Sequence, residues 1–177
     1  LRGDSGACVE GPMQSHATIL QGATAGLEVL CSTHNIDPSH GVLHATAVLA
    51  HAEGALASGH HPPAAEVLTP DIKLAVCLAA LLHDADDRKY FPNTADTYQN
   101  AARIMGEAGA PKEVAEDALR MIALVSCSTN GNSCPPDAQR RPEILWPRWA
   151  DRLEAVGEIG VARCYLYNLS SGAPLSC

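Results

Sequence analysis

Apolar side chains recur at helical spacing along most of the chain, and no segment alternates as a β-strand would. In the first such stretch, Ile19, Ala23, Leu27 and Leu30 share one face of a helix predicted over about residues 13–34. The polar positions between them fall on the opposite face. This pattern indicates a helix that packs one side against a core.

Five more helices are predicted, over about residues 38–58, 70–84, 94–109, 111–126 and 143–167. Asp37 as N-cap and Pro38 at the first helical position are expected to start the second helix, and Pro147 to bend the last. The run from Leu74 to Leu82 is apolar on all sides, which is typical of a buried central helix. The polar stretch 127–142 is expected to be a loop. The predicted fold class is therefore all-α, a single compact bundle of about six helices.

Composition supports one globular domain. The chain has 177 residues, of which 46% are hydrophobic and only 4% aromatic, so the core must consist largely of Ala, Leu, Val and Ile. Residues 1–12 are expected to be a flexible N-terminal lead, and residues 13–177 the helical domain.

Charge and cysteine usage exclude several classes of function. The formal net charge of −8 disfavours general nucleic-acid binding, because the chain would repel phosphates. No apolar run reaches the roughly 18 residues that a membrane helix needs. The seven cysteines include no Cys-x-x-Cys pair, and an odd number cannot all pair, which favours free thiols in a reducing, cytoplasmic compartment.

The candidate chemistry begins with histidine. Of the eight histidines none follows His83, which with Asp84 closes the most apolar helix. A buried carboxylate is costly unless it is paired, and a divalent metal would satisfy both side chains; a helix end that meets solvent is the alternative. His40, His44 and His51 are predicted to share one stripe of the second helix, where each could also be an ordinary polar residue in contact with the core.

An acidic residue near the C-terminus completes the set. Asp151 is flanked by the apolar Trp149, Leu153 and Val156 at helical spacing, so it is expected to point inward. A surface salt bridge is the alternative for an isolated aspartate.

The order His, then His-Asp, then a distant Asp on three helices resembles the HD-domain metal-dependent phosphohydrolase superfamily, in particular its small stand-alone branch. Residues 39–48 read SHGVLHATAV, where the branch typically has S-H-D-x-x-H-x-x-R-V. Residues 79–89 read AALLHDADDRK, similar to A-A-L-L-H-D-x-x-D-x-K. Residues 150–163 read ADRLEAVGEIGVAR, similar to A-D-R-L-D-A-x-G-x-I-G-x-A-R. The likeness covers about residues 36–166.

The resemblance implies a set of site residues. His44, His83, Asp84 and Asp151 would hold one divalent metal ion, and such a mixed N/O set suits Mn, Co, Ni, Fe, Zn or, less well, Mg. The ion would supply a metal-bound water as nucleophile. Further roles are expected for the following residues: Asp87 and Lys89 in catalysis, Arg88 and Arg152 with a substrate phosphate, and His40 beside the metal or the substrate.

These expectations define a function. The resemblance implies a phosphohydrolase that acts on a small phosphorylated substrate, a nucleotide, either as a nucleoside triphosphate pyrophosphohydrolase or as a nucleotide phosphatase. The alternative is a metal-retaining, catalytically weak nucleotide-binding or regulatory module, because Gly41 and Ala47 replace the usual Asp and Arg. A structural salt bridge is the alternative role for Arg152.

Some histidines and one related chemistry fall outside this function. His51 is expected to be structural, and His60 and His61 a chance pair in a loop. A di-iron oxygenase is disfavoured, because residues 85–150 contain no histidine and a second metal would find only carboxylates. Oligomeric state is left open, with a dimer as one option.

Overall fold

The computed structural model describes residues 14–58 and 68–172, and all regular structure in these ranges is helical, which confirms the all-α prediction. Within them lie eight α-helices rather than about six: α1 (His16–His34), α2 (Val42–Ala57), α3 (Pro70–Leu82), α4 (Gln99–Glu107), α5 (Lys112–Val125), α6 (Cys127–Asn130), α7 (Trp146–Leu153) and α8 (Gly157–Ser171). Two short 3₁₀ turns, Pro136–Gln139 and Pro142–Leu145, precede α7. The predicted lead over residues 1–12 and the pair His60 and His61 lie outside the described residues.

Helix α3 forms the centre of the fold. Thr69 caps its N-terminus by accepting a hydrogen bond from the Ile72 backbone N–H, and Pro70 occupies the first turn. All nine residues from Leu74 to Leu82 are buried, as the unbroken apolar run predicts. The helix packs against α1, α2, α5 and α7, so its C-terminal end is fixed from several sides.

Helix α2 begins four residues later than predicted. Asp37 does not cap it; the Asp37 Oδ1 atom instead accepts hydrogen bonds from the Ser39 backbone N–H (2.9 Å) and from Ser39 Oγ (2.5 Å). This local turn competes with the helix, and Gly41 becomes the N-cap. His40 therefore lies in the turn before α2, and only His44 and His51 of the predicted stripe are on the helix.

The other differences are also at helix ends. The helix predicted over residues 94–109 starts only at Gln99, because Tyr98 adopts a left-handed conformation (φ 52°). The predicted helix 143–167 is divided into α7 and α8 by a turn before Gly157, whose φ of 65° suits glycine. Pro147 lies in the first turn of α7, where proline is tolerated, and does not bend the helix. The predicted loop 127–142 contains α6 and a 3₁₀ turn.

Helix α8 lies on the outside of the bundle. None of its described side chains is buried, and Ile159, Val161, Leu166 and Leu169 are all more than half exposed. Arg163 joins α8 to the rest of the fold by donating to the carbonyl oxygens of two residues in other segments. Within the described parts of the chain, no helix combines the length and apolar character that a membrane crossing requires.

Candidate metal centre

The four residues implied as metal ligands come from three helices. His44 lies in the first turn of α2, His83 and Asp84 directly follow α3, and Asp151 is on α7. The fully buried run of α3 fixes the position at which His83 and Asp84 leave the core. Both imidazole side chains are only 2% exposed, whereas the Asp84 and Asp151 side chains are 25% and 30% exposed. The group therefore lies at the floor of a cleft, with its carboxylates toward the opening.

The structure brings one atom from each side chain together. The Nε2 atoms of His44 and His83 are 3.2 Å apart. Asp151 Oδ1 lies 3.3 Å from His44 Nε2 and 3.6 Å from His83 Nε2. Asp84 Oδ2 lies 3.7 Å and 3.4 Å from the same two atoms. His44, His83 and Asp84 each have a ligand atom within 4.8 Å of the other two, and Asp151 Oδ1 faces both imidazoles from outside that group. An ion about 2.0–2.2 Å from each ligand holds neighbouring ligand atoms roughly 2.8–3.6 Å apart, so the separations between imidazole nitrogens and carboxylate oxygens are close to those around a first-row divalent ion.

The imidazole of His83 is oriented for such a role. Its Nδ1 atom lies 2.9 Å from the Ala80 carbonyl oxygen, which can only accept, so Nδ1 carries the proton and donates. In the neutral ring the lone pair of Nε2 then faces the cluster, as in metal-ligating histidines. The Nδ1 atom of His44 is buried and has no hydrogen-bond partner among the described residues.

The ionisable groups of the cluster strongly affect one another. Burial alone would lower the pKa of His83, but the Asp84 and Asp151 carboxylates outweigh it and raise that pKa well above its usual value. Burial alone would raise the pKa values of Asp84 and Asp151, but the two imidazoles outweigh it and lower both. In the metal-free protein the protonated His83 imidazole is thus paired with the Asp84 and Asp151 carboxylates, and a divalent cation could replace its Nε2 proton.

Asp87 and Lys89 lie beside the cluster, on the same wall of the cleft. Asp87 Oδ2 is 3.9 Å from His40 Nε2, and Asp87 Oδ1 accepts a hydrogen bond from the Lys89 backbone N–H at 2.8 Å. The ammonium group of Lys89 lies 3.1 Å from His40 Nε2 and 4.7 Å from the ring centre of Tyr167. Burial lowers the pKa of His40, so its neutral form is favoured.

The two arginines predicted to bind a phosphate have other partners. Arg88 pairs with Asp96 at the rim of the cleft, and both side chains are more than 60% exposed. Arg152 donates to the Asn132 side chain at 2.7 Å and to the Gly131 carbonyl oxygen, and its guanidinium lies over the Trp149 ring. Arg152 therefore fixes the loop before α7 and does not line the cleft.

Sequence reasoning missed Arg163, which lines the cleft from α8. Its Nη2 atom donates to the Ser39 carbonyl oxygen (2.8 Å) and its Nη1 atom to the Glu154 carbonyl oxygen (3.1 Å). The residue ends the third motif quoted above, so its place in that motif was the available signal. Tyr167, one turn later, was missed as well and had no comparable signal.

The reason given for Asp151 to point inward is wrong, although the side chain does reach the cluster. Trp149, Leu153 and Val156, the apolar neighbours expected to be buried, are each between 47% and 59% exposed. Asp151 is directed instead by the docking of α7 against α2, α3 and α5. His51 Nε2 donates a 2.8 Å hydrogen bond to the carboxylate of the buried Glu154, in keeping with its expected structural role.

Comparison with known proteins adds one relative. No family model matches the chain, and no solved structure matches it. A protein of Acanthamoeba polyphaga mimivirus that is described as uncharacterized is 38% identical over 148 residues. The match covers 77% of this chain and 56% of the relative, so the chain spans little more than half of that protein's length. The description of the relative names no activity, ligand or partner.

Proposed function

We propose that the protein is a metal-dependent phosphohydrolase that acts on a nucleotide. The observation that carries this proposal is that the Asp84 and Asp151 carboxylates, from two different helical segments, each place an oxygen 3.3–3.7 Å from the Nε2 atoms of both His44 and His83, which are 3.2 Å apart at the floor of a cleft. Two neutral imidazoles and two carboxylates suit Mn, Co, Ni, Fe or Zn, and Mg less well.

The charge of the cleft agrees with a divalent cation. The cleft has a volume of about 530 Å³. Five carboxylates and three cationic side chains line it, namely Asp84, Asp86, Asp87, Asp96, Asp151, Arg88, Lys89 and Arg163. With the histidines neutral, as metal ligation requires, the cleft has two net negative charges. One divalent ion cancels them.

A second pocket beside the cluster offers a place for a phosphate. It has a volume of about 320 Å³, and His40, Lys89 and Arg163 line it together with Asp151. Lys89 provides a point charge for a phosphate. Arg163 already donates through Nη1 and Nη2 to the Glu154 and Ser39 carbonyl oxygens, so a phosphate oxygen would be bound by its remaining N–H donors. Because Asp151 borders both the cluster and this pocket, a phosphoryl group held here would lie next to a bound ion.

An apolar groove continues from the pocket. It has a volume of about 480 Å³, and Leu43, Ile159 and Leu166 line it together with Arg163. The nucleoside part of a substrate could bury apolar surface there while its phosphate remains beside Lys89 and Arg163. This arrangement supports a nucleotide rather than inorganic phosphate alone as the substrate.

The chain supplies most of what hydrolysis requires. A divalent ion in the cluster would act as a Lewis acid and lower the pKa of a bound water toward neutrality. Asp87 is oriented by the Lys89 backbone N–H and is near enough to the cluster to accept or relay a proton. Lys89 and Arg163 would neutralise charge on the phosphoryl oxygens.

The direct test combines metal analysis with a panel of nucleotides. We expect protein loaded with one of these divalent metals to release phosphate or pyrophosphate from at least one nucleotide. Asp151→Asn should lower metal affinity and turnover, each by at least about 100-fold, because it removes a ligand charge. Asp71→Asn, at the exposed N-terminal end of α3, is the matched control and should leave both unchanged.

Two outcomes would contradict the proposal. If Asp151→Asn bound the ion as tightly as the parent, the ligand set would be wrong. If the protein bound metal and nucleotides saturably but turned over none of them with any of the six metals, it would be a binding or regulatory module instead of an enzyme.

A further inference from the structure

A second group of ligand-type side chains lies next to the first. One nitrogen of His40 and one carboxylate oxygen each of Asp84 and Asp87 lie within 4.8 Å of one another. Asp84 belongs to both groups, because its Oδ2 atom also faces the imidazoles of His44 and His83. The absence of histidine from residues 85–150 leads one to expect only carboxylates around a second metal. The turn before α2, however, brings a histidine, His40, to this group.

The imidazole of His40 is oriented by a chain of hydrogen bonds. Ser39 Oγ has a single proton, which it donates to Asp37 Oδ1 at 2.5 Å, because a carboxylate oxygen can only accept. The 2.9 Å contact between Ser39 Oγ and His40 Nδ1 then requires Nδ1 to carry the proton and donate. In the neutral ring, His40 Nε2 is left with a free lone pair. A hydrogen-bonded partner that fixes the tautomer in this way is typical of metal-ligating histidines.

A cationic side chain lies at the histidine edge of this group. The Lys89 ammonium group lies 3.1 Å from His40 Nε2 and can donate to its lone pair. Asp87 Oδ2, 3.9 Å from the same nitrogen, contributes negative charge. The side chains of His40 and Asp87 are only 18% and 17% exposed, so the position is largely shielded from solvent.

We propose that His40, Asp84 and Asp87 form a second divalent-cation site, in which Asp84 is shared with the first site and the incoming cation displaces the Lys89 ammonium group. One imidazole and two carboxylates suit a borderline or hard ion such as Mn²⁺. The inference extends the proposed function of the same cleft and rests on it through Asp84.

A second ion would make the net charge of the cleft positive, which favours binding of a phosphate. One divalent ion cancels the two net negative charges of the lining residues, and a second ion leaves the cleft with two net positive charges. That excess matches a phosphate dianion. The displaced Lys89 side chain remains beside the phosphate pocket, and two adjacent cations can bind both the attacking and the leaving oxygen of a phosphoryl transfer.

The test is a Mn²⁺ titration of the metal-free protein, followed by calorimetry and by electron paramagnetic resonance. We expect two Mn²⁺ ions per chain and, at full loading, a spin-coupled signal in place of that of isolated ions. His40→Ala and Asp87→Asn should each weaken the second ion by at least about tenfold and abolish the coupled signal, while the first ion stays bound. His16→Ala and Asp71→Asn, at exposed positions away from the cleft, are the matched controls and should retain both ions.

Lys89→Met provides an independent measurement. Because it removes a like charge from the second site, it should tighten binding of the second ion by at least about tenfold. An unchanged second affinity in Lys89→Met would overturn the displacement. A single Mn²⁺ per chain in the parent, or two in both folded His40→Ala and Asp87→Asn, would overturn the second site. Circular dichroism establishes that each variant is folded.

These results are separable from the proposed catalysis. Two coupled Mn²⁺ ions without turnover of any nucleotide would support the second site and contradict the phosphohydrolase. Turnover of a nucleotide with a single bound ion would support the phosphohydrolase and contradict the second site.

Discussion

Among single residues, His83 has polar partners at both nitrogens of its imidazole ring. The Ala80 carbonyl oxygen fixes a proton on its Nδ1 atom, while the carboxylates of Asp84 and Asp151 attract a second proton to Nε2. Without metal the second proton is retained, and the pKa of His83 is raised. A cation must therefore displace this proton in order to bind.

This competition predicts a pH dependence of the metal-free protein. Because the folded pKa of His83 is raised, its stabilising effect is complete below about pH 6.5, the unfolded value, and is lost as the pH rises through the folded pKa. The lowered pKa values of Asp84 and Asp151 make their effect complete above about pH 4, to be lost in stronger acid. We expect the melting temperature of chelator-treated protein to fall between neutral and alkaline pH, whereas metal affinity should rise.

Thermal melts of His83→Gln measure this contribution. The variant should lose most of the alkaline decline, while His16→Gln, at an exposed position, should retain it. An unchanged decline in folded His83→Gln would assign the effect to other groups.

The position of a site residue could be predicted from the sequence where it depends only on neighbouring residues in the chain. His83 and Asp84 follow a continuous apolar run, so their position at the end of a buried helix could be derived from the sequence alone. His40 could not be placed, because the turn made by Asp37 and Ser39 removes it from the helix. Arg163 reaches the cleft only because the chain changes direction between α7 and α8, at Gly157. The periodicity of apolar residues does not predict the angle between these two helices.

At the level of elements, the contact between α1 and α4 depends on a glycine. A Cβ atom at Gly26 would lie 2.9 Å from Ile104 Cγ2, and Ile104 is itself buried. At Gly54 on α2, by contrast, a Cβ atom would meet nothing within 4 Å. The two glycines are thus a matched pair that separates helix propensity from packing.

We expect Gly54→Ala to raise the free energy of unfolding by about 0.5–1 kcal/mol, because alanine is the better helix former. Gly26→Ala should lower it by about 1–3 kcal/mol, because the added methyl group forces Ile104 out of its packed position. Urea denaturation of both variants measures the difference. Equal stabilisation by the two substitutions would show that Ile104 of α4 is not in close contact with Gly26 of α1.

The elements themselves were predictable to different degrees. The cores of α1, α3 and α5 follow from apolar spacing, because each buries one face or its whole circumference. The division between α7 and α8 was not predictable from that spacing, since apolar residues continue through the turn and remain exposed on α8. Hydrophobicity alone therefore indicated one long helix over residues 143–167, where the structure has the short α7 and the outer α8.

Across the whole molecule, burial is distributed unevenly. Helix α3 is buried along nine consecutive residues, whereas α8 has no buried side chain among its described residues. Local opening requires less free energy where few apolar contacts must break. We expect hydrogen–deuterium exchange to be slowest in α3 and fastest, among the longer helices, in α8. Comparable protection of the two helices would mean that α8 is covered by something beyond the described residues.

The uninterrupted burial of α3 also affects the candidate metal centre. Leu82, the residue before His83, is completely inaccessible to solvent, so the end of α3 that carries His83 and Asp84 cannot slide along the helix axis without breaking close packing. The close-packed apolar core around α3 thereby fixes where the His83 and Asp84 side chains lie. We therefore expect heat, or a substitution that leaves a void in this core, to disturb the relative positions of His83 and Asp84 as well.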